Sequence, residues 1–99
     1  MNKKTREIIE VSRELIEVTK KANSCGVIGV TDNSAQVYTE EGFKRVALES
    51  PYMPRLITRQ GREYPYKYSV EVEELTFIHI SETPIYPADE VEVKNEDTR

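Results

Sequence analysis

Tyr66-Lys67-Tyr68-Ser69-Val70-Glu71-Val72, Glu73-Glu74, Leu75-Thr76-Phe77-Ile78-His79-Ile80 is the stretch that decides the fold. Apolar and polar residues alternate from Tyr66 to Val72, the period of a half-buried strand. A second apolar run follows at once, so the pair reads as an antiparallel hairpin. With Glu73-Glu74 as a two-residue turn, Val72 faces Leu75, Val70 faces Phe77 and Tyr68 faces His79, all on one side. Ile78 and Ile80 then fall on the other side beside Ser69 and Lys67, so that side is not purely polar. Glu-Glu suits a primed turn poorly, which leaves a longer loop or a bulge as the alternative.

Upstream, Val27-Ile28-Gly29-Val30-Thr31 and Ala35-Gln36-Val37-Tyr38-Thr39 flank the turn-forming Asp32-Asn33-Ser34 and predict a further hairpin. Thr39 can cap a short helix from Glu40 to about Glu49, with Phe43, Val46 and Ala47 toward the core. Gly42 should weaken that helix by about 1 kcal/mol relative to Ala. Residues 50–66 carry Pro51, Pro54 and Pro65, which forbid a continuous helix, and Leu56-Ile57-Thr58 leaves room for a brief strand.

Residues 3–23 read as one amphipathic helix. Ile8, Val11, Leu15, Val18 and Ala22 recur at alternating spacings of three and four. Ile9 and Ile16 widen the apolar arc to roughly half the circumference, more than the ~100° stripe that one core requires. Two explanations stand side by side. The two isoleucines fill the edge of a small core, or the helix packs on its own sheet and on a second subunit as well.

The fold class expected is therefore α+β: a long N-terminal helix and a short second helix packed on a small antiparallel sheet of two hairpins. Residues 1–90 should form a single domain, and residues 91–99 an acidic, flexible tail. Ninety-nine residues leave no room for a second core. They also leave a thin stability margin. At 37% apolar and 32% charged residues, the chain is lean for a globular domain.

The net charge of -4 argues against general nucleic-acid binding. It is unevenly placed. Arg55, Arg59, Arg62 and Lys67 stand against Glu63 alone, whereas nine acids from Glu71 onward meet only Lys94 and Arg99. Cys25 is the only cysteine, which excludes an internal disulfide. No signal-peptide pattern and no run of 18 apolar residues occurs, so the expected address is the cytoplasm, with no membrane partner.

No catalytic motif emerges, and the expectation is a protein that is not an enzyme. His79 is the only histidine and reads as a hydrogen-bonded sheet residue; an enzyme would pair it with a carboxylate. Metal binding needs more His or Cys ligands than His79 and Cys25 supply, so neither metal nor cofactor is expected. Gly26-Val27-Ile28-Gly29 lacks the spacing and the lysine of a phosphate loop.

The patch with most chemical character interleaves Tyr52, Tyr64, Tyr66 and Tyr68 with Arg55, Arg59, Arg62 and Lys67. Tyr and Arg are enriched at binding hot spots, and they also stack on bases and clamp phosphates. Tyrosines that pad a small core beside solubilising arginines explain the same pattern. We expect partner or ligand contacts at Tyr52, Arg55, Arg59, Arg62, Tyr64, Tyr66 and Lys67, and oligomer contacts at Ile9, Ile16, Ile78 and Ile80. The function expected first is a homo-oligomeric protein-interaction module, a dimer as first guess. The alternative is a binder that sequesters an anionic, nucleotide-like small molecule, and the third is a small enzyme built on His79 and a carboxylate.

Thr39-Glu40-Glu41-Gly42-Phe43, the Arg-, Tyr- and Pro-rich link, Tyr64-Pro65-Tyr66-Lys67-Tyr68-Ser69-Val70-Glu71-Val72 and Leu75-Thr76-Phe77-Ile78 together resemble small uncharacterised proteins of phages and prophages of Gram-positive bacteria. That resemblance implies an accessory phage-type protein that binds a host protein or a host signalling molecule. It carries no site residues.

Overall fold

A computed structural model describes residues 2–95. Helix α1 spans Lys3–Ser24, and strands β1 (Val27–Thr31) and β2 (Ser34–Val37) form the first hairpin. Helix α2 (Glu40–Ala47) leads to β3 (Arg55–Thr58), then to β4 (Tyr66–Val72) and β5 (Leu75–Ser81). A 3-10 turn at Ala88–Glu90 precedes β6 (Glu92–Asn95). The strands make one sheet in the order β1-β2-β5-β4-β3-β6.

The deciding hairpin has the register its alternation implies: Val72 opposite Leu75, Val70 opposite Phe77, Tyr68 opposite His79. Glu73 and Glu74 form the two-residue turn, with φ of 51° and 71°. Both lie in the left-handed region that suits a primed turn and that side chains other than Gly and Asn resist. The double substitution Glu73→Asn with Glu74→Gly is expected to raise unfolding stability by about 1 kcal/mol, measured as a higher urea midpoint with unchanged slope.

The sheet as a whole departs from two antiparallel hairpins: it is mixed. β2 runs parallel to β5, with Ala35 beside Phe77, and β6 runs parallel to β3, with Val93 beside Leu56. A free strand edge presents a row of unpaired N–H and C=O groups. The outer edges of β5 and β3 are taken by strands distant in sequence, a pairing that local alternation cannot reveal. α1 runs one residue further than expected and α2 ends at Ala47 rather than Glu49. Leu48 and Glu49 continue as a turn, bonding the carbonyls of Lys44 and Val46. The expected tail from residue 91 is also corrected in part. Val91 is buried and residues 92–95 are a strand, because valines alternate with charges there as they do in β4; residues 96–99 lie outside the described residues.

The core lies on one face of the sheet. Val37, Leu56, Tyr68, Val70, Ile85 and Val91 close around Phe43 of α2, which is fully buried. Phe43 stacks on His79 with ring centroids 5.9 Å apart and meets Tyr68 and Tyr86 at 6.4 and 6.5 Å. The Tyr68 hydroxyl accepts a bond of 3.0 Å from the Ile85 N–H, which ties the segment after β5 onto the core.

Thr39 caps α2, its hydroxyl accepting from the Gly42 N–H at 3.0 Å. A Cβ at Gly42 would come within 2.7 Å of the Thr39 Oγ1 and 3.0 Å of the Val37 Cγ1. Helix propensity alone favours Gly42→Ala, yet overpacking costs about 1–3 kcal/mol. Gly42→Ala is therefore expected to lower stability, read as a fall in the urea midpoint.

α1 does not pack on the sheet, contrary to the expected arrangement. It touches β1 alone, and none of its residues is buried. Asn2 caps its start, accepting from the Thr5 N–H at 2.9 Å. Its end is held as well. Cys25 and Gly26 donate to the carbonyls of Ala22 and Asn23, and the Gly26 carbonyl accepts from the Tyr38 N–H at 2.7 Å. Gly26, at φ 88°, makes the left-handed exit turn. A 22-residue helix is about 33 Å long. Projecting from the β1 edge, it stretches the molecule to 58 × 29 × 22 Å, with a radius of gyration of 16.8 Å. A compact chain of this length would have about 13 Å.

Candidate interaction surfaces

Strand pairing sorts the side chains onto two faces. The face away from the core, here the open face, has no helix over it among the described residues: α2 meets β2, β4 and β5 from the core side, and α1 meets only β1. Register places its side chains in rows. Lys94, Ile57, Lys67 and Ile80 form one row across β6, β3, β4 and β5. Glu92, Arg55, Ser69, Ile78 and Gln36 form the next, extending onto β2. Ile57, Ile78 and Ile80 are each half-buried among these polar neighbours. A depression of about 520 Å³ opens beside them, bounded by Tyr52, Arg55, Ser69, Glu71, Thr76 and Glu92.

The same pairing divides the Tyr/Arg patch. Arg55 and Lys67 stand on the open face, whereas Tyr66 shares the core face with Tyr68. Arg59 is committed to its own loop: one Nη donates to the Tyr64 carbonyl at 2.7 Å and its backbone N–H to the Pro65 carbonyl at 2.8 Å. Its Nε is buried without a partner. Arg62 and Tyr64 lie exposed on that loop, and Tyr52 sits exposed before β3. The seven residues do not converge on one pocket. Their proximity in sequence concealed the flip of side that every strand residue makes.

His79 is 6% exposed, and its Nδ1 lies 2.9 Å from the Val37 carbonyl oxygen. A carbonyl only accepts, so Nδ1 carries the proton and the tautomer is fixed. The ring also lines a cavity of about 630 Å³ with Glu40, Tyr64 and Glu82. No group of three or more His, Cys, Asp or Glu residues suited to a metal occurs among the described residues. Cys25 is exposed at the end of α1.

An apolar groove of about 760 Å³ runs between α2 and the 85–90 segment. Leu48, 84% exposed, and Met53 lie along it. Tyr86 forms part of its wall, and burial, then the nearby Glu90, pushes the Tyr86 hydroxyl above its ordinary pKa. Lys44 sits 5.1 Å over the Tyr86 ring and pairs with Glu40 at 3.0 Å. Sequence reading missed this groove because Leu48 and Met53 fall outside any periodic run.

The largest apolar exposure is on α1. Ile8, Ile9, Val11, Leu15, Ile16 and Val18 are 39–67% exposed. Glu7 and Glu14 border this arc beside Val11 and Val18, and Arg6 and Arg13 border it beyond Ile9 and Ile16. Nearby on β1, Ile28 and Val30 are exposed too. No helix among the described residues is long and apolar enough to cross a membrane. Scans of family models, of curated proteins and of solved structures return no match to the chain.

Proposed function

We propose that this chain is a non-enzymatic protein-interaction module that works as a homo-oligomer. One observation carries the reading: α1 projects from the sheet with six large apolar side chains exposed. Most helical stability in proteins comes from packing of an amphipathic face rather than from propensity. This helix is also rich in β-branched Ile8, Ile9, Val11, Ile16, Val18 and Thr19, which lower helix propensity. Its stability must come from something packed along the arc. The heptad spacing and the held junction at Gly26 favour a second copy. An additional host-protein partner follows the phage-type resemblance.

Capture of an anionic ligand by the Tyr/Arg patch draws little support, since Arg55 and Lys67 stand on the open face while Arg59 and Arg62 lie in the loop after β3, with Arg59 bonded to that loop's own backbone. The enzyme reading would rest on the Nε2 of His79, since its Nδ1 is held by a backbone carbonyl, and it lacks support because no carboxylate hydrogen-bonds the ring among the described residues. Sedimentation velocity over a wide concentration range tests the proposal. A mass that is a multiple of the chain mass is expected, and a monomer at every concentration overturns it.

A further inference from the structure

Resting on that oligomeric reading, we infer that α1 of one copy docks across the open face of a second copy's sheet, over Ile57, Ile78 and Ile80. Four observations converge on this pairing.

The first is shape. A two-helix seam would cover the a/d row of Ile8, Val11, Leu15 and Val18 and leave Ile9 and Ile16 in water. A sheet is broad and covers an arc of roughly half the helix. The second is the receiving surface. Three half-buried isoleucines occupy adjacent rows of the open face, with no element among the described residues over them. The core face, by contrast, is already filled by α2 and the segment after β5.

The third is charge. α1 as a whole carries six basic residues against four acidic ones, and it is Glu7 and Glu14 that line the border of its apolar arc beside Val11 and Val18. The open face around the isoleucines carries Arg55, Lys67 and Lys94 against Glu71 and Glu92, with the basic residues gathered on β3, β4 and β6 in the two isoleucine rows. The acidic border of Glu7 and Glu14 fits the β3–β4–β6 half of the sheet. The opposite border of Arg6 and Arg13 would then lie over the neutral Gln36, Ser34 and Thr31 of β2 and β1.

The fourth is the junction. The hydrogen bonds at Cys25, Gly26 and Tyr38 aim α1 away from its own sheet. The surface it covers must therefore belong to another molecule. Reciprocal exchange of two helices across a two-fold axis closes such a contact.

The test varies residues that a helix-to-helix seam would not touch. Ile80→Glu and Ile57→Glu, each in the full chain, are expected to convert the oligomer to monomer in sedimentation velocity. Arg55→Glu with Lys67→Glu, both on a face outside the core, should weaken assembly several-fold. Adding Glu7→Lys with Glu14→Lys should restore it. This exchange decides the matter even if the isoleucine variants fail to fold. Assembly that ignores the Arg55 and Lys67 reversals, or weakening that the helix reversals do not rescue, overturns the docking site. Should the wild type assemble and yet tolerate the open-face changes, α1 pairs with α1 and only the oligomeric reading survives. A monomeric wild type removes both.

Discussion

Phe43→Ala is expected to lower unfolding stability by about 3–5 kcal/mol, the range for deleting a fully buried aromatic ring. Small domains hold only about 5–15 kcal/mol in all, and a lean 99-residue chain belongs at the lower end. Phe43 is the one residue of α2 that is buried. Its ring joins elements far apart in the chain: Tyr68 on β4, His79 on β5 and Tyr86 beyond it. Removing it leaves a cavity among rigid neighbours that cannot collapse, because Tyr68 is bonded to Ile85 and His79 to Val37. Urea denaturation followed by far-UV circular dichroism reads the loss. Phe43→Leu, which keeps most of the volume, should cost less than half as much. A change below about 1 kcal/mol for Phe43→Ala, far under the range for a buried ring, would falsify the packing of α2 described above.

Under the proposed homo-oligomeric reading, Ile9→Glu with Ile16→Glu should dissociate the assembly while leaving the sheet folded. Burying an Ile side chain contributes about 1.5–3 kcal/mol. An unpaired carboxylate placed in such a contact costs several kcal/mol more. Two changes per helix therefore amount to a weakening of about a thousandfold or greater. Neither residue touches the core, since α1 has no buried side chain, so the near-UV signal of the core tyrosines should persist. The helical signal should fall, because α1 then has only its own propensity to hold it. A double variant that keeps the wild-type mass would show that this side of α1 faces solvent in the assembly.

Much of this fold is legible in local patterns. The alternation of residues 66–72 set both register and face, so Val70 opposite Phe77 followed from counting. Thr39 before Glu40 announced the start of α2. Charge misled at the C-terminus, where Glu92 and Lys94 beside Val91 and Val93 looked like a solvated tail and are the outward side of β6. The interaction surfaces were less legible. The isoleucines at 9, 16, 78 and 80 stood out because they broke an amphipathic pattern. Ile57 was hidden in a four-residue strand too short to show one, and Leu48 and Met53 obey no period.

The sequence by itself determined the two helices, strands β1–β5 and the way β4 and β5 divide their side chains, because these depend on residues two to four positions apart, while β6 was read as a tail. Only the tertiary structure decided that β2 lies parallel to β5 and β6 to β3, since any exposed edge can accept a strand and local sequence does not say which. It also decided that α1 leaves its own sheet. The apolar arc of α1 was legible in the sequence, but the direction in which Gly26 releases the chain leaves that arc exposed beside its own sheet.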